Sequence, residues 1–178
     1  MIRIVTTCIA WLLPVLTLAG EYDRGDWTHW EDFDSDCQNT RHELLIRKSL
    51  IPVTFTSDTG CYVATGAWHG PFTGQVYTQA TQLDVDHVIA LRYAHEYGGA
   101  EWPPLLKKVF ANDPENLLAV ERGENRSKGW DGPSQYMPPD ESYHCEYARL
   151  WLHLVRKYEL EPAPADKLAI TGTLGRCD

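Results

Sequence analysis

The sequence predicts an α+β fold, with short strands and helices alternating along a chain of 178 residues. Polar and apolar residues alternate over residues 83–88, which is typical of a strand with one buried face. Residues 145–158 instead place Tyr147, Trp151 and Leu154 on one face of a helix. Hydrophobic residues make up 43% of the chain and there are seven Trp, so the chain can bury a sizeable core.

Residues 1–20 have the layout of a cleaved secretory signal peptide. Arg3 gives a positive start, residues 9–18 are apolar, and small residues close the segment. A transmembrane anchor is the alternative, but Pro14 and the short apolar run argue against it, since a span needs about 20 apolar residues. We therefore expect residues 21–178 to form a single domain, exported to the periplasm or the medium and not attached to a membrane after cleavage.

The first half of the remaining chain is expected to form a surface loop, a helix and three short strands. Acidic and aromatic residues dominate the loop at residues 21–36. Asn39 can cap a helix over residues 40–50, and Pro52 would end it. Turn-forming residues separate the three strands, which are expected at residues 53–55, 61–65 and 75–78.

The second half begins with the alternating strand and continues with helices. A second, buried strand is expected at residues 117–120, and a short helix follows over residues 121–128, where Gly129 would terminate it. The remaining helices are expected at residues 93–97, 103–110, 145–158 and 164–174.

Four of the five cysteines lie beyond the predicted signal peptide. An even number of cysteines in an exported protein indicates two disulfides, for which three connectivities exist. We favour Cys37–Cys61 and Cys145–Cys177 because each pair joins neighbours along the chain. A structural zinc site is the alternative, but no two cysteines have the close spacing that such sites use.

The charge of the chain limits how it could hold a polyanion. Its formal net charge is −9, and loss of Arg3 with the signal peptide makes it about one unit more negative. Proteins that depend on many phosphate contacts are usually basic. The acidity therefore argues against tight, electrostatically steered binding of nucleic acid, but not against an enzyme that makes a few local phosphate contacts.

The residues best suited to catalysis lie where the alternating strand ends and on the short helix. Asp86 and Asn125 offer one anionic and one neutral oxygen ligand for a single divalent metal ion. His87 should lie on the opposite face of the strand from Asp86, so it is not expected to share that metal. It could instead act as a general base that takes a proton from water.

This part of the chain resembles the exported HNH (His-Me-finger) endonucleases that are related to the GmrSD C-terminal nuclease domain. The resemblance is carried by residues 85–89, 112–120 and 125–129, and it extends to residues 21–24, 37–46 and 133–139. It implies a ββα-metal core flanked by an N-terminal helix and strands and by C-terminal helices. In one departure, Ala90 stands where the family usually has proline.

The resemblance also implies roles for individual residues. His87 would be the general base, Asp86 and Asn125 the metal ligands, and Asn116 the residue that holds the loop between the strands and so positions His87. The metal would be Mg²⁺ by default, with Mn²⁺, Zn²⁺ and Ca²⁺ as alternatives. The substrate would be DNA, with RNA as a second possibility.

Several charged residues lie near these positions, and some of them have two interpretations. Arg126 and Lys128 could contact substrate phosphates or be ordinary surface charges. Asp84 could support a metal ligand or be solvated, and Glu124 could reach the metal. Arg24 is assigned only to structural ion pairing.

Two other functions remain open at this point. The chain could be a catalytically silent binding or scaffold protein on the same disulfide-linked fold, which its acidity favours. It could also be a different phosphodiesterase that uses the same residues.

Overall fold

The structure is a computed structural model that describes residues 20–177. The signal peptide expected at residues 1–20 thus lies outside the described residues except for Gly20. The α-helices in the described part are α1 (Thr40–Lys48), α2 (Leu91–Ala94), α3 (Pro104–Ala111), α4 (Arg122–Lys128), α5 (His144–Lys157) and α6 (Pro164–Leu174). The strands are β1 (Thr54–Phe55), β2 (Val63–Gly70), β3 (Gln75–Gln79), β4 (Leu83–His87) and β5 (Leu117–Glu121). The fold is α+β, as expected.

The strands form two antiparallel sheets. One has the order β1-β2-β3, and the other pairs β4 with β5 so that Leu83 lies opposite Glu121 and His87 opposite Leu117. Helix α4 begins directly after β5. The second sheet and this helix therefore make a β-β-α unit, with α2 and α3 inserted between its two strands, and it carries the residues singled out in the sequence.

Local signals account for most of the helix boundaries. The side chain of Asn39 accepts a hydrogen bond from the His42 N–H at 3.3 Å and so caps α1. Helix α1 ends at Lys48, two residues earlier than expected. Helix α4 stops at Gly129, whose φ of +55° is a conformation that glycine tolerates best.

Two apolar clusters cover the β4-β5 sheet from its two faces. The first packs α1 and β2 against Val85 and Ala119, and the second packs α5 and neighbouring helices against Val120. Because a one-residue slip would move every side chain to the opposite face, these two clusters fix the register of β4 against β5.

Strand β2 is longer than the expected segment at residues 61–65. Trp68 is fully buried, and its Nε1 donates to the Leu45 carbonyl at 2.7 Å. Gly66 makes room for this ring, since a Cβ at that position would lie 2.6 Å from it. Tertiary packing of one Trp, which a local pattern does not encode, extends the strand.

The N-terminal segment is more than the surface loop expected at residues 21–36. Trp27 is fully buried and packs edge-on against Phe110 of α3, with ring centroids 5.7 Å apart. The Asn112 side chain donates to the Thr28 carbonyl at 2.8 Å and accepts from the Glu31 N–H at 3.1 Å. We call residues 24–31 the strap, because they are fastened across the end of α3.

Both favoured disulfides are present. Cys37–Cys61 joins the segment before α1 to the segment just before β2, and Cys145–Cys177 joins the first turn of α5 to the segment just after α6. Each disulfide closes a loop and so lowers the entropy of the unfolded chain. Between residues 20 and 177, no helix has the length and apolar character needed to cross a membrane.

Asp166 connects three parts of the second cluster. Its Oδ2 accepts from the Tyr93 hydroxyl at 2.5 Å, and its Oδ1 accepts from the N–H and the hydroxyl of Ser134 at 2.8 and 2.6 Å. The carboxylate is only 2% exposed. A buried carboxylate is tolerated because these donors replace its hydration.

We expect Asp166→Ala to lower the free energy of unfolding by about 3 kcal/mol, because it leaves buried donors without an acceptor. Urea denaturation measures this change. Asp58→Ala, at an exposed turn, is the matched control and should stay within about 0.5 kcal/mol of the parent protein. Equal unfolding free energies for the two variants would contradict the role of Asp166.

Candidate active site

His87 lies at the end of β4, and the following chain is fixed by Asn116. Asn116 is fully buried, and its Oδ1 accepts from the Ile89 N–H at 2.9 Å while its Nδ2 donates to the Ile89 carbonyl at 3.3 Å. The Asn116 carbonyl also accepts from the Val88 N–H at 2.8 Å. The asparagine thus holds both residues that follow His87.

The imidazole of His87 is held by a carbonyl and an indole. Its Nε2 lies 2.8 Å from the Ala111 carbonyl, and the Trp30 ring of the strap stacks on it at 5.8 Å between centroids. A carbonyl oxygen only accepts, so in the neutral ring Nε2 carries the proton and Nδ1 carries the lone pair. This arrangement sets one tautomer and leaves one basic nitrogen.

Burial keeps this ring neutral. It lowers the pKa of His87 to about 3, and the cations of Lys128 and Arg24 and the His29 ring act in the same direction. The hydrogen bond to Ala111 opposes this shift without reversing it. At physiological pH the imidazole is therefore neutral, and its Nδ1 keeps the lone pair.

Asp86 faces the helix side of β4, opposite to His87. Its carboxylate lies beside Lys128, with the Nζ 3.3 Å from Oδ1 and 3.0 Å from Oδ2. Only the contact to Oδ1 has hydrogen-bond geometry, and Oδ2 is buried without a hydrogen-bond partner among the described residues. Burial raises the pKa of the Asp86 carboxyl, and the neighbouring Lys128 ammonium opposes that rise.

Asn125 is oriented by Asp84 on the same side of the sheet. Its Nδ2 donates to Asp84 Oδ2 at 3.1 Å, which fixes the direction of the amide and leaves its oxygen for another partner. The other carboxylate oxygen of Asp84 lies 3.7 Å from Nε of Arg122. Asp84 is thus engaged with helix α4 and is not simply solvated.

One cleft brings the predicted residues together. Its lining includes Arg24, Asp86, His87, Leu91, Asn125 and Gly129. Asn116 lies behind it, and Arg126 is exposed on α4 but does not line it. Glu124 accepts from the Tyr136 hydroxyl at 3.1 Å and is also absent from the lining.

Lys128 corrects an expectation. It was a candidate phosphate contact, but its side chain is fully buried. Besides Asp86, its Nζ binds the His87 carbonyl at 2.9 Å. The ammonium is enclosed between helix and strand, so it cannot meet a substrate at the surface.

The oxygen atoms in the cleft fit a hard divalent cation. Oδ2 of Asp86, which pairs with Lys128 without hydrogen-bond geometry, and the amide oxygen of Asn125 are the ligand types that Mg²⁺ and Ca²⁺ prefer. A second group of acidic residues, Asp32, Asp34 and Asp36, is exposed and lies outside the cleft lining. Asp86 and Asn125 thus line the cleft that contains His87, and the three aspartates do not.

The segment from Ala111, the last residue of α3, to Asn116 is anchored by residues at the end of α5. The Asp113 carboxylate accepts from the Tyr158 hydroxyl at 2.7 Å and from Lys157 Nζ at 2.8 Å. The Ala111 carbonyl holds the His87 ring, and Asn116 holds the residues that follow β4. This anchor therefore restrains both the side chain of His87 and the backbone after it.

Comparison with known proteins gives the family. Residues 30–170 match the C-terminal domain of the GmrSD restriction endonucleases. The chain belongs to this family. An uncharacterized secreted protein of Arthroderma benhamiae is 35% identical over 158 residues, which cover 88% of this chain and 76% of that protein. No solved structure matches the chain.

This GmrSD-type domain contains site residues that sequence reasoning missed. No local sequence pattern indicates that Trp30 belongs to the site, because its contact with His87 joins distant parts of the chain. Lys128 was named as a candidate, but its pairing with Asp86 was missed; the weak signal for it is that Lys128 lies three residues after Asn125, on the same helix face. Arg24 lies in a segment that resembles the family, but its position in the cleft is a tertiary feature.

We expect Lys128→Met to lower the free energy of unfolding by about 3–5 kcal/mol, because it leaves the buried Asp86 carboxylate without its cation. Arg126→Met, an exposed change on the same helix, should cost less than about 0.5 kcal/mol. Adding Asp86→Asn to Lys128→Met should restore part of the loss in urea denaturation. No restoration would mean that Lys128 acts by packing and not by pairing.

Proposed function

We propose that this chain is an exported, metal-dependent endonuclease of the HNH type that hydrolyses phosphodiester bonds in DNA. The observation that carries the proposal is the His87 ring, which is neutral, fixed in one tautomer and located in one cleft with Asp86 and Asn125. Membership in the GmrSD C-terminal family supports a nuclease-type domain. RNA is a second possible substrate.

His87 acts as the general base in this proposal. Nε2 keeps its proton because the Ala111 carbonyl accepts it, so Nδ1 receives the proton of the attacking water. Trp30 stacks on the ring and Asn116 holds the chain after it, which limits rotation away from the substrate. The hydroxide then attacks phosphorus in line with the departing 3′ oxygen, and the product carries a 5′ phosphate.

Asp86 and Asn125 would hold the metal, with Lys128 keeping Asp86 in place and Asp84 orienting Asn125. A divalent ion bound there, Mg²⁺ by default, supplies positive charge that stabilises the leaving oxygen. Mn²⁺, Zn²⁺ and Ca²⁺ are the alternatives.

We also propose that residues 1–20 are a cleaved signal peptide and that residues 21–178 form one nuclease domain. Two disulfides support an oxidising compartment outside the cytoplasm. The secreted protein of Arthroderma benhamiae supports export in the same way. Periplasm and medium are both compatible with these observations.

A catalytically silent binding protein is the second candidate, and the Lys128–Asp86 pair favours it. An ammonium already neutralises the carboxylate that would hold the metal. Isothermal titration of the protein with Mg²⁺ and Mn²⁺ separates the two functions when it is combined with a cleavage assay. Metal binding without cleavage of DNA or RNA would favour the silent protein.

With plasmid DNA and Mg²⁺, we expect the protein to produce nicked and linear forms and to stop when EDTA is added. His87→Ala should lower the cleavage rate by about 10²- to 10⁴-fold, because the water loses its base. His69→Ala, at an exposed position on β2, is the matched control and should cleave at the parental rate. Full activity in His87→Ala would contradict the assignment of His87 as the general base.

Asn125→Ala should raise the Mg²⁺ concentration needed for half-maximal cleavage, because it removes one oxygen ligand. Saturating metal should recover part of the rate, whereas it should not rescue His87→Ala. A titration of the cleavage rate against Mg²⁺ measures both effects. An unchanged metal requirement in Asn125→Ala would argue against its role as a ligand.

A further inference from the structure

The cleft contains one cation that the proposed mechanism does not use. Of the residues that line it, Arg24 is the basic one with an exposed side chain, since His87 is buried. Arg24 also lies outside the matched range of residues 30–170. Its position in the cleft is a tertiary feature that the matched range does not include.

The backbone at Arg24 is fixed by the strap. The Asp23 side chain accepts from the Gly25 N–H at 2.7 Å and so caps a short helical turn, Arg24–Asp26. The Arg24 carbonyl accepts from the N–H of Trp27 at 3.1 Å, and the Trp27 side chain is fully buried in the core. An exposed arginine is thus anchored one turn away from a buried indole.

The guanidinium is oriented by His29. His29 Nδ1 lies 2.8 Å from the Trp27 carbonyl, so Nδ1 carries the proton in the neutral ring and Nε2 is the acceptor. Arg24 Nη2 lies 3.3 Å from this Nε2. His29 therefore accepts a hydrogen bond from one of the five N–H donors of Arg24. Because the neutral ring carries no negative charge, it does not neutralise the guanidinium.

A further donor of Arg24 contacts the Tyr22 hydroxyl, and none of its donors has a carboxylate partner in the described part of the chain. Within residues 20–177, no Asp or Glu side chain forms a salt bridge with this arginine. By contrast, Arg122 and Lys128 lie beside Asp84 and Asp86. Although the net charge of the chain is −9, Arg24 gives the cleft an exposed positive charge that no carboxylate pairs with among the described residues.

We propose that Arg24, oriented by His29, binds a nonbridging oxygen of the substrate phosphodiester beside His87. This inference rests on the proposed nuclease function and names the group that holds the substrate. A guanidinium fits this task because its planar fork can donate two parallel hydrogen bonds to a phosphate. In this proposal Arg24, and not the buried Lys128, is the phosphate contact near the general base.

Binding without turnover tests the contact directly. The affinity for a short DNA duplex is measured in EDTA over a range of salt concentrations, for the parent protein, Arg24→Ala, Arg24→Lys and Arg156→Ala. Arg156 is exposed on α5 outside the cleft and serves as the matched control. We expect Arg24→Ala to reduce the slope of log K against log salt by about 0.9, the value for one lost phosphate contact.

Arg24→Lys should keep most of the salt slope but bind more weakly, because it retains the charge without the fork. Arg156→Ala should match the parent. An unchanged slope in Arg24→Ala, or an equal fall in Arg156→Ala, would overturn the inference. Lack of any binding by the parent protein at low salt would overturn it too.

Cleavage kinetics separate this inference from the proposed function. We expect Arg24→Ala to lower kcat/KM about 10- to 100-fold, as for loss of a hydrogen bond to a charged group, with partial rescue by added guanidinium and an unchanged thermal unfolding midpoint. The parent protein could fail to cleave DNA while the salt slope of its binding still depends on Arg24. In that case the proposed nuclease function is wrong and the Arg24 binding site stands. If Arg24→Ala cleaves and binds like the parent, the Arg24 site fails and the nuclease stands.

Discussion

The contact between Lys128 and the end of β4 is the constraint on which the candidate site depends. An ammonium group without solvent is stable only when charges and dipoles replace its water, and burial of an unpaired ion costs several kcal/mol. Here the Asp86 carboxylate and the His87 carbonyl take that role. The pair fastens α4 to β4, so the helix that bears Asn125 has a fixed position relative to the strand that bears His87.

His87 is positioned by groups from three other parts of the chain. The Ala111 carbonyl sets its tautomer, Asn116 holds the residues after it, and Trp30 covers its face. These groups are in turn held by contacts far from the cleft, such as that of Asp113 with α5. A site of this kind can be damaged by changes that never touch substrate, because its geometry is set by the packing of α3, α5 and the strap.

The acidity of the chain and its membership in a nuclease family are compatible when charge is considered locally. At physiological ionic strength, exposed charges are screened over about 8 Å. A substrate phosphate in the cleft would therefore respond mainly to the groups that line it, and Arg24 is among them. Such an enzyme would bind its substrate less tightly than a basic protein and would release its product more readily.

The sequence by itself determined the elements and the central residues of the site. Strand alternation, the Asn39 cap and Gly129 act over a few residues, so they predicted the β-β-α order and most boundaries. The resemblance added roles to Asp86 and His87, which remain proposals. The tertiary structure alone decided which charges are buried, since solvation depends on neighbours distant in the chain.

Lys128 and Arg24 illustrate that difference. Both are ordinary basic residues in a local reading, and the sequence offered Lys128, together with Arg126, as a phosphate contact. Lys128 meets Asp86 across 42 positions of sequence and loses its contact with solvent. Arg24 reaches the cleft because the strap crosses α3, so it keeps its solvent exposure beside His87. No local pattern encodes either outcome, because each depends on which surfaces meet when the chain folds.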